Sequence, residues 1–105
     1  MEFTKELKND WITALESGDY KKTEVAELYN DGCYCALGVF CVVANLVKHH
    51  DEFLYRNKGS VGLYEKMEEY LTEDGYKSVY RANDSNTGDN FKAAIEAIKD
   101  LQTTN

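Results

Sequence analysis

The sequence predicts a mainly α-helical fold: a compact bundle of about four helices around a buried central helix over about residues 34–48, with one short β-hairpin or strand pair. Two observations predict it. Residues 34–47 form a run of fourteen residues without a formal charge, in a chain that is 30% charged. Three other segments repeat apolar residues at the three- and four-residue spacing of an amphipathic helix. A length of 105 residues suits a single domain, residues 1–105.

The chain opens with a predicted amphipathic helix. Thr4 is placed to cap this helix, which is expected to run to about Ser17. Gly18 is placed to end it in the left-handed conformation. Residues 23–29 follow as a short element, for which a helical turn and a strand both stay open. The Asn-Asp-Gly sequence at 30–32 is a strong turn signal.

The apolar run at 34–47 is interpreted as a helix surrounded by protein, because it is apolar on every side. A membrane span needs roughly 20 apolar residues, so a run of fourteen indicates a core helix. The alternative is a fully buried strand, since Val39 to Val43 favours β structure. Strands rarely exceed about ten residues, which favours the helix.

The segment after the central run is predicted to form a loop and a further helix. The Lys-His-His sequence at 48–50 lies at the expected C-terminal end of the core helix, where cations complement its dipole. Residues 51–60 are expected to form a loop. Residues 61–71 carry an amphipathic stripe and predict a helix that ends near Gly75.

The C-terminal third alternates between irregular and helical patterns. Residues 76–82 show a weak alternation and are expected to form a strand or an extended segment. Residues 83–88 are a loop by composition. The last helix is expected from about Asn90 to Gln102.

The acidic composition limits the class of partner. Twelve basic residues stand against 19 acidic ones, a formal net charge of −7. Non-specific nucleic-acid binding needs clustered Lys and Arg, so no direct nucleic-acid binding is expected. The charge suits a basic protein partner or mimicry of a nucleic acid's charge, and it also serves solubility. The eight tyrosines favour protein interfaces and half-buried rims.

The three cysteines predict reduced, buried thiols. They are odd in number and lie within nine residues, unlike a secreted disulfide framework. The chain begins with a charged helical pattern and not with a signal peptide, so we expect a cytoplasmic protein without a membrane span. Cys33-x-Cys35-x5-Cys41 has no paired Cys-x2-Cys arrangement and no second cluster. No metal site and no cofactor are therefore expected.

Cys35 is the one candidate for nucleophilic catalysis. A cysteine that opens an apolar helix resembles the nucleophile of papain-like and cell-wall peptidases, whose thiol pKa is lowered by the helix N-terminus. The two histidines of the chain are His49 and His50. If one helix joins Cys35 and His49, they lie roughly 21 Å apart at 1.5 Å per residue. A nucleophile and its base must approach to about 3 Å, so no catalytic residues are predicted.

One ligand-binding site is predicted at the start of the last helix. It comprises Arg81, Asn83, Asp84 and Asn90. Loop amides and a helix N-terminus form a ready anion site, to which Arg81 would add a bidentate contact with a phosphate or carboxylate. The alternative is that the Asn and Asp residues only cap and turn the chain.

Three segments, taken together, follow a pattern known from one family. Residues 11–20 (WITALESGDY) are similar to a Trp-x2-Ala-Leu-x-Ser-Gly-x-Tyr opening, and residues 34–41 (YCALGVFC) to a Tyr-Cys-Cys-Leu-Gly-Val-Leu-Cys core. Residues 83–91 are similar to an Asn-Asp-x-Gly-x-x-Phe entry to the last helix. This order resembles a group of small accessory proteins of unassigned activity that are common in bacteriophage genomes. Ala36 replaces the second cysteine of the core pattern, and residues 85–87 stand where the pattern has a single residue before the glycine, which lengthens this step.

The resemblance implies a phage or prophage setting, in which small acidic non-enzymatic proteins often antagonise host systems. We therefore expect a non-enzymatic binding protein in the cytoplasm of the infected bacterial host. It would inhibit a host defence factor through protein–protein contact, with a homo-oligomer left open. One alternative is a sponge for a nucleotide immune signal that uses residues 81–90. The second is an enzyme of unrecognised type that uses Cys35.

Overall fold

The computed structural model describes residues 2–23, 28–30, 32–47, 61–85 and 90–104. Within these ranges the chain forms four helices and one sheet of three short strands, which confirms the predicted mainly α-helical fold with a short strand set. The helices are α1 (Lys5–Glu16), α2 (Ala36–Val43), α3 (Val61–Ser85) and α4 (Lys92–Lys99). The strands are β1 (Lys21–Lys22), β2 (Tyr29–Asn30) and β3 (Cys33–Tyr34).

Helix α1 begins and ends where the sequence predicts. The Oγ1 atom of Thr4 accepts a hydrogen bond from the amide of Leu7 at 3.1 Å, which satisfies one of the free N–H groups of the first turn. Gly18 follows the helix with a φ of 81°, in the left-handed region. Trp11 and Leu15 are buried and fix α1 on the core.

The strands form a sheet in the order β1-β3-β2. β2 and β3 pair antiparallel, and Gly32 lies between them with a φ of 82°. This confirms the turn signal at 30–32 and resolves Tyr29–Asn30 as a strand, while residues 24–27 lie outside the described residues. β1 pairs with β3 in parallel, so that β3 is the central strand and is held by partners on both sides.

Helix α2 is the buried centre of the fold, but it is shorter than the sequence predicts. It spans Ala36–Val43, eight residues, because Cys33–Tyr34 extends as strand β3. Asn45, the strongly polar residue of the run, adopts a φ of 59° and ends the helix, and the amide of Leu46 donates back to the carbonyl of Cys41 at 2.8 Å. The prediction of one continuous helix through residues 34–48 was therefore wrong at both ends. The predicted loop at 51–60 and the cations at 48–50 lie outside the described residues.

Helix α3 overturns the predicted break after Gly75. Residues 76–82 are helical, and so are residues 83–85 of the predicted loop. The alternation of apolar and polar residues in this stretch is typical of a strand. Val79 and Asn83, however, lie four residues apart and are both buried, as residues on one face of a helix are. The weak alternation was too short to distinguish the two periods.

The interruption in α3 lies at Thr72 instead, where φ is 64° and ψ is 165°. Residues with a side chain rarely adopt this region. Twelve residues of straight helix span about 18 Å at 1.5 Å per residue. The rings of Tyr64 and Tyr76, twelve positions apart, nevertheless lie with their centroids only 5.7 Å apart. The segments before and after Thr72 are therefore not collinear.

Helix α4 packs on α3 and α1 and closes the core. Ala94 and Ile98 are buried, as the predicted stripe requires, although the regular helix spans only Lys92–Lys99. Three aromatic rings pack together where α1, α2 and the N-terminal residues meet. The centroid of the Trp11 ring lies 4.7 Å from that of Phe40 and 6.2 Å from that of Phe3. In the part of the chain that the structure describes, no helix combines the length and hydropathy of a membrane crossing.

Candidate functional site

Cys35 stands at the N-terminus of α2, where the sequence placed its candidate nucleophile. Its Sγ atom accepts a hydrogen bond from the amide of Gly38 at 3.4 Å. The side chain is buried, and this burial raises the pKa of the thiol to about 11, although the nearby backbone amides act in the opposite direction. At neutral pH the thiol is therefore protonated, whereas a nucleophilic cysteine needs a lowered pKa.

The separation of Cys35 and His49 cannot be taken from helix geometry. The predicted distance of roughly 21 Å required one helix through both residues, at 1.5 Å per residue. That premise was wrong, because α2 ends at Val43. His49 lies outside the described residues.

Asn83, one of the predicted ligand residues, is part of the core. It is 2% exposed, and its Oδ1 atom accepts a hydrogen bond from the amide of Ala36 at 3.2 Å. The carbonyl of Ala36 accepts a second hydrogen bond from Nε1 of Trp11 at 2.9 Å. The buried peptide groups at the start of α2 are thus satisfied by side chains from α3 and α1. Asn83 thus joins α3 to α2, and Trp11 joins α1 to the same residue of α2.

The other predicted ligand residues do not converge with Asn83. Arg81 is exposed and lies two positions before Asn83 on α3, so the two side chains leave different sides of the helix. Asp84 is exposed and accepts a hydrogen bond from Nδ2 of Asn83 at 3.4 Å. Asn90 is exposed, and its Oδ1 atom accepts from the amide of Lys92 at 3.0 Å, a turn just before α4 of the kind that the alternative interpretation expected.

Gly38 is a structurally critical residue that the sequence reasoning did not single out. A Cβ atom at this position would lie 1.9 Å from the carbonyl oxygen of Leu28. The amide of Cys35 donates to the same oxygen at 3.1 Å. The backbone of residue 28 can approach α2 this closely only because Gly38 has no side chain. A glycine inside an otherwise bulky apolar run was the available signal.

The tyrosines form two contact groups with half-buried rings. Tyr20 and Tyr29 both meet Tyr34 at the small sheet, with ring centroids 5.1 and 4.9 Å apart. Burial raises the pKa of Tyr34, and the neighbouring phenols add to the effect. Tyr64 and Tyr76 form the second group on α3. Much of the tyrosine content therefore serves the rims of the core, as one of the two sequence interpretations held.

An acidic face lies on the first segment of α3, and we use this name for Glu65, Glu68 and Glu69. All three side chains are exposed, at positions i, i+3 and i+4 of the helix. No basic side chain in the described ranges forms an ion pair with any of them. Like charges at this spacing destabilise a helix by about 0.2–0.5 kcal/mol per pair. The acidic face is a surface that an opposite charge would stabilise.

A cavity of about 470 Å³ opens beside the interruption of α3, and we call it the Thr72 cavity. Residues of α3 between 70 and 78 form one part of its lining and residues 100–104 another, which we call its two walls, and Phe3 adds a further side chain. Its lining consists of Phe3, Tyr70, Leu71, Thr72, Asp74, Gly75, Ser78, Asp100, Leu101, Gln102, Thr103 and Thr104. Among these residues the charged side chains are Asp74 and Asp100, both carboxylates.

Hydrogen bonds hold both walls of the Thr72 cavity. The Oγ1 atom of Thr72 accepts from the amide of Gly75 at 3.2 Å and so caps the second segment of α3. On the wall formed by residues 100–104, the carbonyl of Leu101 accepts a hydrogen bond from Nζ of Lys8 at 2.7 Å. The amide of Thr104 donates to the carbonyl of Phe3 at 3.0 Å, which fixes the chain that follows α4.

A second cavity, of about 490 Å³, lies between α1 and α4. It is lined by Leu15, Glu16, Asn90, Phe91, Lys92, Ile95, Glu96 and Lys99. Its charged side chains are of both signs, in contrast to those of the Thr72 cavity. In the described ranges no group of three His, Cys, Asp or Glu residues is arranged to hold a metal ion.

A family model described as "Domain of unknown function (DUF8296)" matches residues 3–85. The match covers α1, the sheet, α2 and α3 and stops before α4. No curated protein and no solved structure matches the sequence.

Proposed function

We propose that this chain, which belongs to the DUF8296 family of domains of unknown function, acts by binding a protein partner with a basic surface and blocking it. The observation that carries the proposal is the acidic face on α3. Its carboxylates, Glu65, Glu68 and Glu69, are exposed and make no ion pair with a described basic residue.

Solubility alone does not require such a face. A surface with interspersed charges of both signs is soluble and avoids like-charge repulsion. The pairs Glu65–Glu68 and Glu65–Glu69 instead each cost the helix about 0.2–0.5 kcal/mol. A basic partner surface would relieve this repulsion on binding. It would also accelerate association with a chain of net charge −7.

The phage setting implied by the sequence pattern suggests the kind of partner. We propose a host defence factor in the cytoplasm of the infected bacterium, inhibited through protein–protein contact. A basic surface is common on factors that handle nucleic acids, because such surfaces neutralise phosphates. An acidic protein that occupies this surface would exclude the nucleic acid.

The two alternatives have less support. A nucleotide sponge would need Arg81 and Asn83 to face one ligand, but Arg81 is exposed while Asn83 is buried and bonded to Ala36. An enzyme based on Cys35 would need a thiolate, whereas burial raises the pKa of this thiol to about 11. Neither alternative has a specific observation in its favour.

The test is a pull-down of the tagged full chain from bacterial host lysate, with mass spectrometry of the retained proteins. The key variant is Glu65→Gln/Glu68→Gln/Glu69→Gln. Its matched control removes three exposed carboxylates from α1, by the changes Glu6→Gln, Asp10→Asn and Glu16→Gln. Both variants change the net charge equally, so a difference between them reports the position of the charges.

We expect the wild type and the α1 control to retain the same basic protein, and the α3 variant to lose it. The purified partner should bind less tightly as salt is raised, because exposed charges are screened beyond about 10 Å at 0.1 M ionic strength. The captured protein should also lose its activity when the wild-type chain is added. Equal retention by both variants, or no retained protein at all, would contradict the proposal.

A further inference from the structure

We propose that the Thr72 cavity receives the guanidinium group of an arginine side chain from the protein partner. This inference rests on the proposed function and extends it, because it names the chemical group and the place where that group binds. The acidic face and one wall of the cavity both belong to α3: Glu65, Glu68 and Glu69 precede the interruption at Thr72, and Asp74 follows it.

The charge of the cavity selects a cation. Asp74 and Asp100 are the charged side chains among the described residues of its lining, and they come from different walls. Both carboxylates are exposed, and neither forms an ion pair with a basic residue of the described ranges that a ligand would have to break. A cation that enters between the walls is attracted by both of them.

The C-terminal end of α4 already binds a positively charged side chain of the protein itself, that of Lys8. Nζ of Lys8 donates to the carbonyl of Lys99 at 2.9 Å and to that of Leu101 at 2.7 Å. The last carbonyls of a helix carry the negative end of its dipole and lack partners within the helix. Lys8 already occupies this backbone, so within the Thr72 cavity the two carboxylates, Asp74 and Asp100, are left to attract a further cation.

The apolar part of the lining suits the rest of an arginine side chain. Tyr70 is half-buried and packs edge-on against Phe40, with the two ring centroids 5.6 Å apart and the ring planes at 75°. A guanidinium group stacks favourably on such a ring. Phe3, Leu71 and Leu101 offer apolar surface on which the methylene stem can lie.

Size and hydrogen bonding favour arginine over a bare metal ion. A cavity of about 470 Å³ is within the usual range for organic ligands and far larger than one ion requires. The guanidinium carries five donors in one plane, which can bond two carboxylates from different directions. The second cavity lacks this selectivity, because Lys92 and Lys99 are among the residues that line it.

The test is an NMR titration of the isotope-labelled full chain with N-acetyl-arginine amide. The matched probe is N-acetyl-citrulline amide, which has nearly the same shape but no charge. We expect the arginine probe to give saturable shifts at the amides of residues 70–75 and 100–104, and the citrulline probe to give none. Asp74→Asn and Asp100→Asn should each weaken binding roughly three- to fivefold, as for an exposed ion pair. Asp19→Asn, an exposed control outside the cavity, should leave it unchanged.

Equal shifts with citrulline, shifts confined to other surfaces, or no binding of the arginine probe would overturn this inference. The outcome is separable from that of the proposed function. If the arginine probe fails while the α3 variant still loses its partner, the cavity is wrong and the binding function stands. If the arginine probe binds as expected but the lysate yields no partner, the cavity is supported and the proposed function fails.

Discussion

Replacing Gly38 with alanine should destabilise the protein severely, because the new methyl group has no room. Its Cβ atom would lie 1.9 Å from the carbonyl oxygen and 2.9 Å from the carbonyl carbon of Leu28. These are backbone atoms, so no side-chain rotation can relieve the clash. The backbone at Leu28 must retreat by more than about 1 Å before it reaches even a close contact, since optimal separations are about 3.5–4.0 Å.

The magnitude follows from two effects. Forcing a methyl group into a packed site costs about 1–3 kcal/mol. The retreat of Leu28 also breaks its 3.1 Å hydrogen bond with the amide of Cys35, worth about 0.5–1.5 kcal/mol. We expect the free energy of unfolding to fall by about 2–4 kcal/mol, out of a typical total of about 5–15 kcal/mol. At about 4–8 °C per kcal/mol, the Tm should fall by about 8–32 °C.

Gly75→Ala is the matched control within the same chain. A Cβ atom at Gly75 would meet only side-chain atoms, the nearest being Oγ1 of Thr72 at 3.4 Å. Because Gly75 lies inside α3, alanine should be neutral or should stabilise the protein by up to about 1 kcal/mol. Both variants are measured by urea unfolding, with the fluorescence of the buried Trp11 as the signal. Surface substitutions typically change the free energy of unfolding by less than about 0.5 kcal/mol. If the free energy of unfolding of Gly38→Ala differed from that of the wild type by no more than this, the close approach of Leu28 to α2 would be refuted.

Two further predictions concern the start of α2. Asn83→Ala should lower the free energy of unfolding by about 1–3 kcal/mol, because it leaves the buried amide of Ala36 without an acceptor. The exposed turn variant Asn90→Ala should lower the free energy of unfolding by at most about 1 kcal/mol in the same urea experiment, and a reversed order would show that Asn83 is not structural. Burial raises the pKa of the Cys35 thiol from 9.0 to about 11, so the folded protein keeps this proton to higher pH than the unfolded chain does. Stability should therefore be constant with respect to this group below about pH 9 and fall as the pH rises toward 11. Cys35→Ala should flatten this part of the stability curve, and an unchanged slope would contradict the burial of the thiol.

The two ends of α1 and the small hairpin could be predicted because their signals are local. Thr4 caps α1 with an acceptor three residues from the donor, and Gly18 ends the helix with its own φ angle. The Asn-Asp-Gly turn acts over equally few residues. Such signals are legible because capping and turn geometry depend on neighbours in the chain.

The length of α2 and the continuity of α3 depended on partners distant in sequence. Cys33–Tyr34 extends because β1 and β2 pair with it, although its residues border an apolar run that favours a helix. Residues 76–82 are helical because Val79 and Asn83 find a core to face. Local propensity is a weak prior, and tertiary contacts override it in both segments.

The candidate site shows the same division. The sequence marked Asn83 as a residue of interest but could not reveal its role, because the amide that it binds lies 47 positions away in the chain. The Thr72 cavity was not predicted at all, since its walls combine the N-terminal residues, α3 and the chain after α4.

Composition and short-range pattern by themselves determined an acidic, mainly helical protein with an apolar centre and capped helices. Only the tertiary structure decided which polar groups are buried, which of the described carboxylates make no ion pair with a described basic residue, and where a cavity opens. The physical reason is range: capping and periodicity act within a few residues, whereas burial and pairing are set by whichever distant segment packs alongside.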